Sequence, residues 1–156
     1  MKIQLLIIGI TLLASTICVA GNIKKKYAAL NLSTNGSLIK MPVGDCEALV
    51  TGDGASCKTN DCRAVISNIP AYCDSNDCRG LLLEDSVWCA TGNCKAFVLK
   101  SSYWCSSANC RALLTRSPVI CDSGDCRAFI VGTAGYCETG QCRALMSGVS
   151  AWCDHN

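Results

Sequence analysis

The chain has 156 residues, a formal net charge of +2 and 15 cysteines, and half of its residues are hydrophobic when cysteine is counted among them. That length suits one domain. The small net charge excludes strong electrostatic attraction of the whole molecule to nucleic acid.

The first twenty residues account for much of the apolar content. Lys2 precedes the run Leu5–Leu13, and Ser15-Thr16-Ile17-Cys18-Val19-Ala20 follows before Gly21. A basic start, a short apolar stretch and a small residue at the cut predict a secretory signal peptide over residues 1–20, cleaved after Ala20. Ser15 and Ile17 do not fit a lipoprotein signal at Cys18. The apolar run is short for a bilayer, and Lys24-Lys25-Lys26 behind it would hold a retained anchor's C-terminal side in the cytoplasm, at odds with so many cysteines. Cleavage removes Cys18 and leaves fourteen, an even number that reads as a disulfide framework. The predicted localisation is secreted, extracellular or periplasmic, with no membrane span after signal cleavage.

Residues 21–45 lie outside the repeat and form a predicted arm or N-terminal cap. Lys24, Lys25, Lys26 and Lys40 against Asp45 make it basic. Asn31-Leu32-Ser33 and Asn35-Gly36-Ser37 match the glycosylation acceptor pattern.

Residues 46–156 are the array. Cysteine spacing alternates between eleven and five without a slip: Cys46, Cys57, Cys62, Cys73, Cys78, Cys89, Cys94, Cys105, Cys110, Cys121, Cys126, Cys137, Cys142, Cys153. The period is 16 residues, repeated seven times. A typical copy is CRALLTRSPVICDSGD from Cys110: Cys, a basic residue, Ala, two apolar residues, four turn-like residues, a small or apolar residue, an aromatic or apolar residue, Cys and a polar turn. Such recurrence marks a repeat architecture.

Two apolar segments of four or five residues, separated by Gly, Ser, Pro, Asn and Asp, read as two short strands and two turns per unit. A helix pair does not fit in 16 residues, since helices usually need about ten each. The predicted fold is therefore all-β: a small disulfide-stapled β-solenoid of seven 16-residue coils. An antiparallel meander of hairpins is the alternative, although about fourteen strands exceeds the usual open sheet. A third arrangement keeps a short helical turn after Asp61, Asp77, Asn93, Asn109 or Asp125, each standing where an N-cap would.

Two disulfide patterns are compatible with the ladder. Closing each unit internally, Cys46–Cys57 through Cys142–Cys153, uses all fourteen cysteines and is preferred. Bonding the five-residue step makes six bonds and strands Cys46 and Cys153. Spacing leaves connectivity open. In either pattern the core is thin, and full reduction is expected to unfold the array.

Strand alternation with cysteine inward sets three outward rows. The first, beside each opening cysteine, is Glu47, Arg63, Arg79, Lys95, Arg111, Arg127 and Arg143. The second is Leu49, Val65, Leu81, Phe97, Leu113, Phe129 and Leu145. The third is Ser56, Tyr72, Trp88, Trp104, Ile120, Tyr136 and Trp152. The candidate binding surface is Arg63, Arg79, Lys95, Arg111, Arg127 and Arg143 with Tyr72, Trp88, Trp104, Tyr136 and Trp152. It would take a protein, a surface polymer or a second copy of the chain. The competing explanation is structural: arginines beside the turn aspartates, as in Asp61 and Arg63 or Asp125 and Arg127, and aromatics stacked to hold coils in register.

No catalytic residues, metal site or cofactor are predicted. His155, the single histidine, is the next-to-last residue, a poor place for a catalytic base. Cys-x-x-Cys is missing, and Cys-x4-Cys in an oxidising compartment is a weak zinc signal. A Thr-x-Thr ice-binding row is missing too, because Thr51, Thr59, Thr91, Thr115, Thr133 and Thr139 fall at several positions of the unit. The reading is a secreted, disulfide-rigidified repeat protein, not an enzyme, acting as a binding or structural scaffold. The alternatives are a thiolate metal-binding protein and a small secreted toxin or effector.

Overall fold

The computed structural model describes residues 41–153 together with Ala28 and Asn31. The predicted signal peptide, most of the arm, Asn35 and His155 lie outside them.

The array is helical, which overturns both the β-solenoid and the hairpin meander. Among the described residues there is no strand, and each unit is an α-helix followed by a 3-10 turn. The helices are α1 (Val43–Thr51), α2 (Asn60–Ser67), α3 (Asn76–Leu83), α4 (Gly92–Leu99), α5 (Ala108–Thr115), α6 (Gly124–Val131) and α7 (Gly140–Ser147). The 3-10 turns are Gly54–Ser56, Pro70–Tyr72, Ser86–Trp88, Ser102–Trp104, Pro118–Ile120, Ala134–Tyr136 and Ser150–Trp152.

Eight residues is short for an isolated helix, whose nucleus is costly. Here both ends are capped. From α2 onward a Ser or Thr precedes the helix: Thr59, Ser75, Thr91, Ser107, Ser123 or Thr139. Its hydroxyl accepts from the amide of the opening cysteine three residues on. The cap is thus two residues upstream of the Asp or Asn expected to serve. At the far end every helix stops on a left-handed residue: Gly52, Asn68, Glu84, Lys100, Arg116, Gly132 and Gly148. From α2 to α6 the amide directly after the left-handed residue reaches back to the carbonyl two positions after the opening cysteine, as in Ile69 to Ala64 at 3.1 Å, closing a Schellman motif. Four of the seven left-handed residues are not glycine, so the usual C-terminal signal was hidden from the sequence.

At 100° per residue the helix buries most of its circumference. The opening cysteine is fully buried in all seven units, as is the Ala two positions on where Ala occurs. The position after that was placed outward by strand parity. It faces inward instead: Leu49, Val65, Leu81 and Leu145 are buried, and Phe97, Leu113 and Phe129 are half-buried. The outer stripe consists of the positions one and five after the cysteine, which lie about 40° apart on the wheel.

The cysteines pair across the five-residue step: Cys57–Cys62, Cys73–Cys78, Cys89–Cys94, Cys105–Cys110, Cys121–Cys126 and Cys137–Cys142. The preferred within-unit pairing is therefore corrected. The two cysteines that this pattern strands bond to each other, Cys46–Cys153, across 107 residues. That bond is the seventh equivalent of the other six, because the array bends into a closed ring in which α7 and the last 3-10 turn pack on α1. Seven helices about 9 Å apart make a ring of roughly 10 Å radius. Ala28 and Asn31 are both buried and helical, so Asn31 offers no exposed acceptor for a glycan.

A polar ladder runs round the ring beside the disulfides. Each Asp or Asn before an opening cysteine reaches the following unit. Asp77 accepts from the Ala90 amide at 2.6 Å, the Thr91 amide at 3.1 Å and the Thr91 hydroxyl at 2.7 Å. Asp45, Asp61 and Asp125 repeat this pattern. Asn93 and Asn109 accept in the same direction. In the last unit the position is Gln141. It accepts from the Met41 amide at 3.3 Å and donates to the Met41 carbonyl at 2.7 Å, joining the two ends of the array.

Candidate binding surface

The first and third rows of the sequence reading come from different segments of the unit, yet the fold brings them together. In six units a basic residue follows the opening cysteine on the outer wall, and in five of them an aromatic stands nine residues on, Arg111 having Ile120 there. The Arg79 guanidinium sits 6.0 Å from the Trp88 ring centre, the Lys95 ammonium 5.6 Å from Trp104, and the Arg143 guanidinium 5.7 Å from Trp152. A cation over an indole face at this range is attracted by the ring quadrupole. Arg63, Arg111, Arg127, Tyr72 and Tyr136 occupy the same two exposed positions in their units.

The pairing expected between these arginines and the turn aspartates does not form. Asp61 and Asp125 are committed to the next unit's turn. Arg63 donates instead to the Asn60 side chain at 3.2 Å, and Arg79 to the Cys73 carbonyl at 3.2 Å.

A further row was not singled out in the sequence. The middle residue of each 3-10 turn points away from the ring. It is Ala55, Ala71, Gly135 or Ala151 in four units, but Val87, Tyr103 and Val119 in three consecutive ones. Those three are 86%, 85% and 90% exposed. The signal was the substitution of large for small at one repeat position, concealed by treating that position as merely small or apolar. Val119 shares a shallow cleft of about 330 Å³ with Pro118 and with Arg127, Val131 and Tyr136 of the following unit. The repeat places Val87 in the same relation to Lys95, Leu99 and Trp104.

A second cleft, of about 550 Å³, lies among the inward-facing positions. It is lined by Phe97, Leu113, Leu114, Phe129, Ile130 and Ala28, with Lys100 and Arg116 at the helix ends.

Asp45, Asp61, Asp77 and Asp125 each lie within 4.8 Å of a cysteine pair in a metal-like cluster. In each the two sulfurs form one disulfide, so neither is a thiolate, and the carboxylate already accepts three hydrogen bonds. Thiolate coordination needs free sulfur, so the oxidised clusters do not fit a metal ion. No helix among the described residues is long and apolar enough to cross a membrane. Comparison of the chain with protein-family models, curated proteins and solved structures finds no match.

Proposed function

We propose that this disulfide-rigidified repeat protein is a secreted, non-enzymatic binding scaffold whose outer wall of paired cations and aromatics is its contact surface. The observation that carries the reading is the set of three cation–aromatic pairs, repeated at one place in the unit on a ring closed by its own disulfide. Such a wall holds its side chains in place before any partner arrives, which lowers the ordering cost of binding.

Secretion is supported by the engagement of all fourteen array cysteines in seven disulfides, a state that needs an oxidising compartment. A non-catalytic role is supported by the aspartates, whose oxygens are committed to holding successive units together.

The test is to purify the oxidised chain from the medium of a secreting host and count free thiols by intact mass. Retention is then compared on a polyanionic polysaccharide, a neutral polysaccharide and candidate surface proteins, for the native chain and for Arg79→Gln/Lys95→Gln/Arg143→Gln. The expected result is no free thiol in the array and at least one target lost with the three charges. Retention indifferent to the charges, or a hydrolytic or redox activity abolished by a point change, would overturn the reading.

A further inference from the structure

The ring is not equivalent around its circumference. The three large, almost fully exposed residues Val87, Tyr103 and Val119 fall in adjacent units, while the same position elsewhere is Ala or Gly. Charge follows the same arc. Between Cys78 and Cys121 the chain carries Arg79, Lys95, Lys100, Arg111 and Arg116 against Glu84 and Asp85, a net +3. The rest of the array, 46–77 with 122–153, carries four basic and eight acidic residues, a net −4. The arc adds exposed Leu83 and Leu99 beside Trp88 and Trp104, and the Tyr103 ring meets Trp104 edge-on.

We infer that this arc docks on an anionic lipid bilayer surface, with Val87, Tyr103 and Val119 entering the interface and the cations between them meeting headgroups. The inference rests on the binding-scaffold reading and names the partner of its outer wall. Two arguments favour lipid over a protein face. The three most exposed apolar side chains of the arc stand one per unit, on a convex wall with cations between. A stable protein interface needs about 800 Å² of contiguous, well-packed surface per partner, whereas fluid lipid accepts isolated protruding side chains. Charge complementarity points the same way. Basic residues at a membrane surface are attracted to anionic headgroups, Trp and Tyr prefer the headgroup level, and the acidic remainder of the ring turns the opposite side away.

The test uses the oxidised chain and vesicles of phosphatidylcholine alone or mixed with phosphatidylglycerol at about 7:3. Sedimentation with the anionic vesicles and release at about 0.5 M salt are expected, with no binding to the neutral ones. Val87→Ser/Tyr103→Ser/Val119→Ser should lower partitioning by about tenfold or more. Its thermal midpoint should stay unchanged, because the three side chains contact little.

Brominated phosphatidylglycerol locates the contact. Trp88 and Trp104 should be quenched in a Trp152→Phe variant. Trp152, on the far side of the ring, should not be quenched in a Trp88→Phe/Trp104→Phe variant. Equal binding to both vesicles, an undiminished triple-serine variant, or quenching of Trp152 would overturn the proposal. So would dimerisation of the native chain that the serine variant abolishes while vesicle binding persists. If vesicles fail while charge-dependent retention on a polysaccharide or protein persists, the scaffold reading stands and the lipid partner alone is lost.

Discussion

Replacing both Cys46 and Cys153 with serine should cost far more stability than replacing any neighbouring pair within the ladder, although all seven bonds occupy equivalent places. The chain-entropy treatment makes a cross-link's contribution grow with the loop it closes. The Cys105–Cys110 bond spans five residues, which gives about 2 kcal/mol. The Cys46–Cys153 bond spans 107 residues. The six short loops inside that span shorten the effective path to about eighty residues, so the closing bond contributes about 4.5 kcal/mol. On a domain of this size the difference is a fall in Tm of about 15 °C for the closing pair against less than 10 °C for the internal pair. Guanidinium titration and calorimetry of Cys46→Ser/Cys153→Ser beside Cys105→Ser/Cys110→Ser measure both. Non-reducing peptide mapping of the native chain should recover one fragment joining the two ends of the array. Equal losses in the two double variants, or a fragment joining Cys46 to Cys57, would refute the ring.

Asp77→Ala should lower stability by about 3 kcal/mol, since two part-buried amides and a hydroxyl lose their charged acceptor. Asp77→Asn should lose about 1 kcal/mol, because α4 and α5 already work with asparagine there; denaturant titration ranks the two. Glu84→Gly should raise stability by about 0.5 kcal/mol, the left-handed strain relieved at φ 55° outweighing the flexibility gained by the unfolded chain. A lower midpoint for that variant would count against the Schellman ends. Gln141→Leu should cost about 2 kcal/mol by leaving the Met41 amide and carbonyl without their partner. Hydrogen exchange at the Met41 amide should rise in that variant with the closing disulfide intact.

Repeat length, copy number, the fourteen cysteines and the separate basic and aromatic rows were legible in the sequence, while the pairing of those two rows was not. The secondary structure was not. An apolar run such as Ala64-Val65-Ile66 is too short for periodicity to distinguish strand from helix. The distinguishing features were caps: Thr59 three residues before Cys62, and Asn68 taking the left-handed place usually held by glycine. The disulfide at the third helical position adds to these caps in holding an eight-residue helix such as α2. The error in secondary structure carried into the faces. With period two, Leu49 and Val65 point out; with period 3.6 they point in, and the position five after the cysteine takes their place on the wall. The basic row survived the change because one position after the cysteine is outward in both geometries.

The closure of the ring also accounts for the two units that depart most from the consensus. A linear array needs polar caps on both terminal repeats, and those caps have no reason to match each other. Here the departures are complementary. The first unit lacks the Ser or Thr cap, with Pro42 standing before α1, so the cap position offers no hydroxyl to an aspartate from the preceding unit. The last unit replaces that aspartate with Gln141, whose side chain is one methylene longer and can donate as well as accept. It reaches Met41, where both an amide and a carbonyl need partners. An aspartate could only accept, and would leave that carbonyl unmet. The order of cysteines follows the same logic. An array that opens on the helix cysteine and closes on the turn cysteine has one half of a five-step disulfide at each end, and bending seven units into a ring brings the halves together.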